Sequence, residues 1–343
     1  MYDITIGKIS NNEKKEVENF LKSFDLSLDD DVEHTYVARY NGTIIGTCSS
    51  AGKVIKCFAV KSELQGEGLS AKLVTHATNE LFDRGIYNTF IFTKPSNREI
   101  FLGLGYSEVY TEKNVVLLER GITNINKYIK NMFDKTLLGN EAKAGIVMNC
   151  NPFTKGHRYL IEKTASENET VVIFVVEEDR SVFPFSVRLE LIKKGVEDLK
   201  NVHVVAGGEY IISSSTFPSY FLKKEDDRLM AYTRLDVGIF GKYIAPVFHI
   251  KKRYIGEEPI DRVTRTYNEA MFEVLPSYGI DVVKLDRLES QETVISASEV
   301  RRMIKQDNWD RIRELVPKTT FDFLNSEAAA QIIKKIKESE GCH

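Results

Sequence analysis

The sequence predicts an α/β chain in two parts, an α+β part first and a longer part built on a parallel sheet second. Three observations predict it. The 343 residues, 42% of them hydrophobic, are enough for two separate cores. The dipeptide Asn41-Gly42 sits between two strand-like runs near the N-terminus, the strongest short-range hairpin signal. Beyond residue 143, apolar runs of strand length alternate with helical patterns, which implies parallel strands joined by right-handed crossovers. The expected boundaries are 1–120 for the first part, 121–143 for a linking helix and 144–343 for the second part.

Taken in order, residues 2–9 alternate as a strand, 11–24 repeat as an amphipathic helix, and 35–40 with 43–47 form the hairpin. An apolar run at 54–60, a glycine-containing turn at 64–68, a helical pattern at 71–82, a strand at 89–93 and Gly103-Leu104-Gly105-Tyr106 complete the first part. A helix at 121–140 follows. The second part reads as strands at 145–149, 171–176 and 202–206 separated by helices at 156–167 and 186–199. Later strands are expected at 236–240, 247–250 and 281–285, helices at 262–274 and 298–306, and a charged terminal helix at 327–340.

Composition excludes several classes. Lys plus Arg number 47 against 50 Asp plus Glu, a formal charge of -3. Residues 1–120 carry 14 basic and 17 acidic side chains, so the remainder is balanced at 33 against 33. Neither part is a basic surface for a nucleic acid. Cys48, Cys57, Cys150 and Cys342 contain no CxxC pair and the six histidines no HxxxH spacing, which argues against a disulfide framework or a structural metal. No basic leader precedes a long apolar stretch, so neither a signal peptide nor a membrane span is expected, and the cytoplasm is the default compartment.

The chemistry concentrates in Asn151-Pro152-Phe153-Thr154-Lys155-Gly156-His157, between a buried strand and a helix. Thr154 suits an N-cap, and Gly156 removes a side chain where something must approach the backbone. The free N–H groups and positive dipole end of such a helix make a phosphate site, and His157 in the first turn is placed to donate to the same anion. Lys155 reads as solvated, and Cys150 as a small buried apolar group, because nothing nearby in sequence lowers its pKa. Arg188 opens a helix and either reaches a phosphate or pairs at the surface with Glu190 or Glu197. Ser213 and Ser214 follow a strand and either line the pocket or belong to an ordinary loop.

The first string resembles the (H/T)xGH motif of the nucleotidyltransferase superfamily in its Thr form. Far downstream, Ile295-Ser296-Ala297-Ser298-Glu299-Val300-Arg301 is similar to that superfamily's ISSTxxR motif, with Ala297 in place of the middle Ser; Asn151 stands where many members have Asp. The resemblance implies a Rossmann-like nucleotidyltransferase domain that binds ATP with Mg2+. Thr154 and His157 would serve the α-phosphate, Ser296, Ser298 and Arg301 the β and γ groups, and Asn151, Pro152, Phe153, Gly156 and Arg188 would complete the nucleotide site. Within the superfamily the strings at 148–160, 183–188, 210–222, 235–246 and 256–268 look like the citrate lyase ligase family. That resemblance implies activation of acetate as acetyl adenylate, then acetyl transfer to the thiol prosthetic group on the citrate lyase acyl carrier subunit. Thr264, Tyr267 and Asn268, with Ser213 and Ser214, would then be acyl or carrier contacts. Two alternatives stay open: a nucleotidyltransferase that adenylates a phosphorylated metabolite such as a pantetheine phosphate, and an acetyl-CoA-dependent acyltransferase.

In the first part Gln65-Gly66-Glu67-Gly68-Leu69-Ser70 resembles the QxxGxG/A loop of GNAT acyltransferases, and residues 100–106 their closing segment. The resemblance implies a GNAT-like fold in which Gln65, Gly66, Gly68 and Ser70 face a CoA-like pyrophosphate. Ser70 replaces the final small residue, and Glu63 and Glu67 oppose an anion there. CoA binding and a docking role toward a thiol carrier both remain open.

Overall fold

The computed structural model describes residues 4–61, 63, 68–177, 181–211, 217, 220–221, 225–257, 262–286, 289–290 and 293–339. The chain packs as two compact units, Met1–Tyr128 with Ser214–Leu235, and Ile129–Ser213 with Asp236–His343. The expected boundaries at 120 and 144 were contiguous; the first unit also takes a stretch from far along the chain.

The first unit contains β1 (Ile4–Lys8), α1 (Lys14–Lys22), β2 (His34–Tyr40), β3 (Thr43–Ala51), β4 (Val54–Val60), α2 (Leu69–Asp83), β5 (Asn88–Thr93), α3 (Arg98–Gly103), β6 (Ser107–Thr111) and β7 (Val116–Gly121). They form a seven-stranded sheet in the order β1-β2-β3-β4-β5-β7-β6. The β2–β3 hairpin turns where expected, because Asn41 and Gly42 hold φ of 48° and 79°, two successive left-handed residues that match the strand twist. Leu69, Leu73, Ala77 and Leu81 recur on one face of α2 and bury against Tyr36, Ile45, Ile55 and Ile91 of the sheet. Under the sheet, Lys56 Nζ lies 2.9 Å from Asp29 and 2.7 Å from Asp31, so its buried charge is compensated.

Around α2 the sheet opens. The parallel pair β4–β5 is in register only at Val54 with Phe90 and Ile55 with Ile91. Beyond that point the distant stretch enters the same unit: the Tyr220 hydroxyl donates to the Phe92 carbonyl at 2.6 Å, the Ser27 N–H donates to the Tyr220 carbonyl, and Phe217 meets Phe92 edge-on.

After α4 (Ile125–Asp134) the grammar becomes strand and helix in alternation: β8 (Lys143–Met148), α5 (Lys155–Glu167), β9 (Val171–Val175), α6 (Phe185–Gly195) and β10 (Val202–Ala206). α7 (Glu225–Ile239) runs through a π-helical turn, Phe240–Ile244, into α8 (Ala245–Phe248), and β11 (Ile250–Gly256), α9 (Arg262–Val274) and β12 (Asp281–Leu285) follow. The short ribbon β13 (Glu289–Ser290) and β14 (Thr293–Val294) precedes α10 (Ala297–Lys305), α11 (Trp309–Leu315), α12 (Lys318–Leu324) and α13 (Ala330–Glu338).

The strands form a parallel sheet in the order β10-β9-β8-β11-β12. The chain winds outward from β8 in one direction and then from β11 in the other, so the order reverses between these two strands. In such a sheet ligands bind outside the carboxyl ends of the strands flanking the reversal. The strands expected at 236–240 and 247–250 are helical instead. Their apolar runs are the buried sides of helices, with Leu235, Val237, Ile239, Phe240 and Phe248 all in the core, and the strand begins only at Ile250. Periodicity does not separate a short buried strand from a buried helical turn.

Candidate active site

β8 delivers the chain to the carboxyl edge of the sheet, and the loop that follows is fixed by its own backbone. Cys150 takes a φ of 54°, and Asn151-Pro152 is a cis peptide. Phe153 is fully buried in the core beneath α5. Thr154 then caps α5, its Oγ1 accepting from the His157 N–H at 3.3 Å. The Thr154 N–H donates in turn to His157 Nδ1 at 3.1 Å. Because a backbone N–H can only donate, Nδ1 is the acceptor nitrogen and the ring proton resides on Nε2. The imidazole also stacks on Phe153 with the planes 13° apart. His157 is thereby fixed as a neutral donor beside the free N–H groups of a helix start.

The second motif arrives at the same place. Ser296 caps α10, its Oγ accepting from the Glu299 N–H at 3.1 Å. A Cβ on Gly156 would lie 2.9 Å from the Ile295 carbonyl oxygen, so Gly156 is the residue that lets the start of α10 close on the start of α5. Arg301 locks the approach: one guanidinium nitrogen donates to the Asn151 carbonyl, and the other lies 3.4 Å from Ser298 Oγ. Two capped helix starts, from positions about 140 residues apart in sequence, converge at the reversal of strand order. Their N–H groups and dipole ends suit a polyphosphate.

Arg188 is not at hand for a phosphate. Its guanidinium is fully buried, and donates to the carbonyls of Phe183 (2.9 Å), Asn149 (2.9 Å) and Val176 (2.8 Å). It ties the motif loop to the loop after β9, and the surface pairing with Glu190 or Glu197 is not its role either. Asn151 serves the same junction, its Oδ1 accepting from the Phe183 N–H at 3.0 Å, and Asn149 reaches Ser181 Oγ at 3.1 Å. The Lys155 ammonium, at the solvent-exposed surface, donates to the Arg313 carbonyl at 3.2 Å. Cys150 is buried, and burial pushes its thiol well above the ordinary range, which leaves it inert as a nucleophile.

Residues 143–324 match the model of the citrate lyase ligase C-terminal domain. A curated citrate (pro-3S)-lyase ligase of Klebsiella pneumoniae is 36% identical over 323 residues, 93% of this chain and 94% of its own. The chain belongs to the citrate lyase ligase family. Relatives of the same name from Escherichia coli strain K12 and Haemophilus influenzae are 36% and 34% identical, over 94% and 92% of this chain and 93% and 97% of theirs. Residues 6–100 match the model of the acetyltransferase (GNAT) family, in keeping with the sheet of the first unit.

The remaining expected residues of this citrate lyase ligase family member are dispersed. On α9 the Tyr267 hydroxyl donates to the Asp236 carboxylate, the Asn268 side-chain amide donates to the Gly256 carbonyl at 3.0 Å where β11 ends, and Thr264 is exposed. Ser213 and Ser214 lie outside the described residues, as do Gln65 and Gly66. Gly68 takes a φ of 76° at the start of α2, and with Ser70 lines a cleft of about 560 Å³ in the first unit. Lys94 and Asn97 border that cleft, and Tyr220 and Phe221, which no sequence signal placed there, line it as well. Among the described residues no cluster of three or more His, Cys, Asp or Glu is arranged to hold a metal, and no helix is long and apolar enough to cross a membrane.

Proposed function

We propose that the chain is an ATP-dependent acid–thiol ligase that activates acetate and acetylates the thiol prosthetic group of the citrate lyase acyl carrier subunit. The observation that carries this reading is the convergence of the α5 and α10 starts around Gly156, with the Nε2–H tautomer of His157 fixed by the Thr154 backbone. A carboxylate oxygen of acetate attacks the α-phosphorus, the bond to the bridging oxygen of pyrophosphate breaks, and acetyl adenylate remains. The thiol sulfur then attacks the acetyl carbonyl, AMP departs, and the thiol proton is released.

Charge decides the residue roles. Negative charge grows on the α-phosphate oxygens and on the departing pyrophosphate, so donors are needed at both places. Thr154 and His157 stabilise the first, and Ser296, Ser298 and Arg301 the second. Acetate is its own nucleophile, so the first step needs no protein base. Mg2+ bound with the triphosphate would supply further neutralisation of its charge beside these donors. The reaction draws on ATP and belongs to the cytoplasm.

The test is acetate-dependent exchange of labelled pyrophosphate into ATP, followed by incubation with ATP, Mg2+, acetate and deacetylated citrate lyase. His157→Ala is expected to reduce exchange at least about 100-fold, the usual size of a lost transition-state donor. Exchange at the wild-type rate in that variant would refute the assigned site. Exchange without restored lyase activity would leave acetate activation standing and overturn the acceptor. Formation of a dinucleotide-like product from a phosphorylated acceptor would replace the reading altogether.

A further inference from the structure

Strand β11 carries a buried cation that nothing described so far uses. Arg253 sits inside the parallel sheet, beside Gly145 of β8 and Val282 of β12, and is 3% exposed. Its Nε and Nη1 have no hydrogen-bond partner among the described residues. The guanidinium lies over the Phe240 ring at 4.5 Å, a contact that orients its plane but supplies no acceptor. Burial lowers its pKa to about 10 against the opposing pull of Tyr267 and Asp236, so it stays charged at neutral pH. A fold rarely keeps such a charge without an acceptor for its donors. The Asp236 carboxylate, whose charge acts on Arg253, accepts from the Tyr267 hydroxyl, and neither group satisfies Arg253 Nε or Nη1.

The placement says what the acceptor is. Tyr254, next in β11, reaches Glu167 on the α5 side. Arg253 therefore points to the opposite face, where Phe240 meets it and Phe174 packs edge-on against Phe240. The same face belongs to α9, whose Asn268 caps the carboxyl end of β11 at Gly256. That end borders the reversal of strand order, and the three residues from Arg253 to Gly256 rise only about 10 Å. A small monoanion entering beside the phosphate site would meet two guanidinium donors that no described residue takes, with the Phe240 ring 4.5 Å away.

We propose that Arg253 is the carboxylate receptor of the acyl substrate, a short-chain monocarboxylate, holding one carboxylate oxygen while the other faces the α-phosphorus. The inference rests on the acetate-activating reading. The experiment is a titration with 13C-labelled acetate, followed by NMR with a non-hydrolysable ATP analogue present, on the wild type, Arg253→Met and Arg253→Lys, with circular dichroism as the check of fold. Acetate binding at least tenfold weaker in the folded variants, with affinity for the analogue within twofold, is expected. Acetate affinity within twofold of wild type in either folded variant would overturn the proposal, as would a wild type that binds no acetate. If Arg253→Met does not fold, Arg253→Lys carries the test, since it keeps the charge and loses the fork of donors. Binding is read without turnover, so Arg253-dependent acetate binding in a protein that shows no pyrophosphate exchange would support this inference while refuting the ligase reading.

Discussion

Replacing Gly156 by Ala tests whether the two helix starts must touch. The added Cβ would lie 2.9 Å from the Ile295 carbonyl oxygen, a few tenths of an ångström inside ordinary contact. The obstacle is main chain, so it cannot rotate away as a side chain would. Either α5 or the segment leading into α10 has to shift. Overpacking of this kind costs about 1–3 kcal/mol, and the gain in helix propensity of Ala over Gly, about 1 kcal/mol, offsets part of it. The net loss expected is therefore about 0–2 kcal/mol, or up to about 4–8 °C in Tm for a unit of this size. Activity is hit harder, because a displacement well under 1 Å separates donors that must act on one triphosphate; a drop of about 10- to 100-fold in kcat/KM is expected. Pyrophosphate exchange and thermal unfolding on the same preparation give both numbers. Exchange within twofold of wild type in a protein of unchanged Tm would show that the close approach has no part in the site.

Other outcomes follow from groups already placed. Arg188→Ala is expected to lose about 2–4 kcal/mol in urea unfolding, because it leaves the buried Phe183 carbonyl and the half-buried Asn149 and Val176 carbonyls without their donor and empties the junction they share; the KM for ATP of the folded fraction should stay within about twofold, and a selective rise in that KM would return Arg188 to the nucleotide. Burial pushes the Cys57 thiol in the first unit up to about 12, whereas an unfolded thiol titrates near 8.5. The raised group binds its proton more tightly when folded, so its contribution to stability is whole below about pH 8.5 and shrinks as pH rises, by up to about 1.4 kcal/mol per pH unit. Urea midpoints between pH 7 and 10 should fall with pH in the wild type and fall less in Cys57→Ala; equal slopes would contradict the assignment.

Local signals that act within a few residues were legible. Asn41-Gly42 made its hairpin because both residues tolerate a left-handed backbone. The run at 171–176 gives a strand because β-branched residues covered on both faces of a parallel sheet leave no polar alternation to misread, and the valine-rich run at 202–206 pairs beside it as a half-buried edge strand. Thr154 read as a cap, and its Oγ1 accepts the N–H three residues on. What failed was information held elsewhere in the chain. Whether Arg188 meets a phosphate or three carbonyls depends on where the loops after β8 and β9 cross. The run at 236–240 is apolar enough for a strand, yet it continues the helix from Glu225 and packs on β9 through Phe174 and Phe240. The strand that replaces it, IKKRYIG, carries three consecutive basic residues and looks like a loop. β6 and β7 left no recognised signal, and neither did α11 and α12, which bury only two residues each.

The contacts that shape the two motifs each have a main-chain partner: Gly156 against the Ile295 carbonyl and Arg301 to the Asn151 carbonyl between them, and the Thr154 N–H to His157 within the first. Carbonyls and amides do not change when side chains are exchanged. The surroundings can therefore drift through generations of substitution while the anion-facing geometry stays put, provided Gly156, Arg301 and His157 are kept. Its vulnerability is correspondingly narrow, resting on a handful of positions where one added methyl group does more harm than many changes nearby.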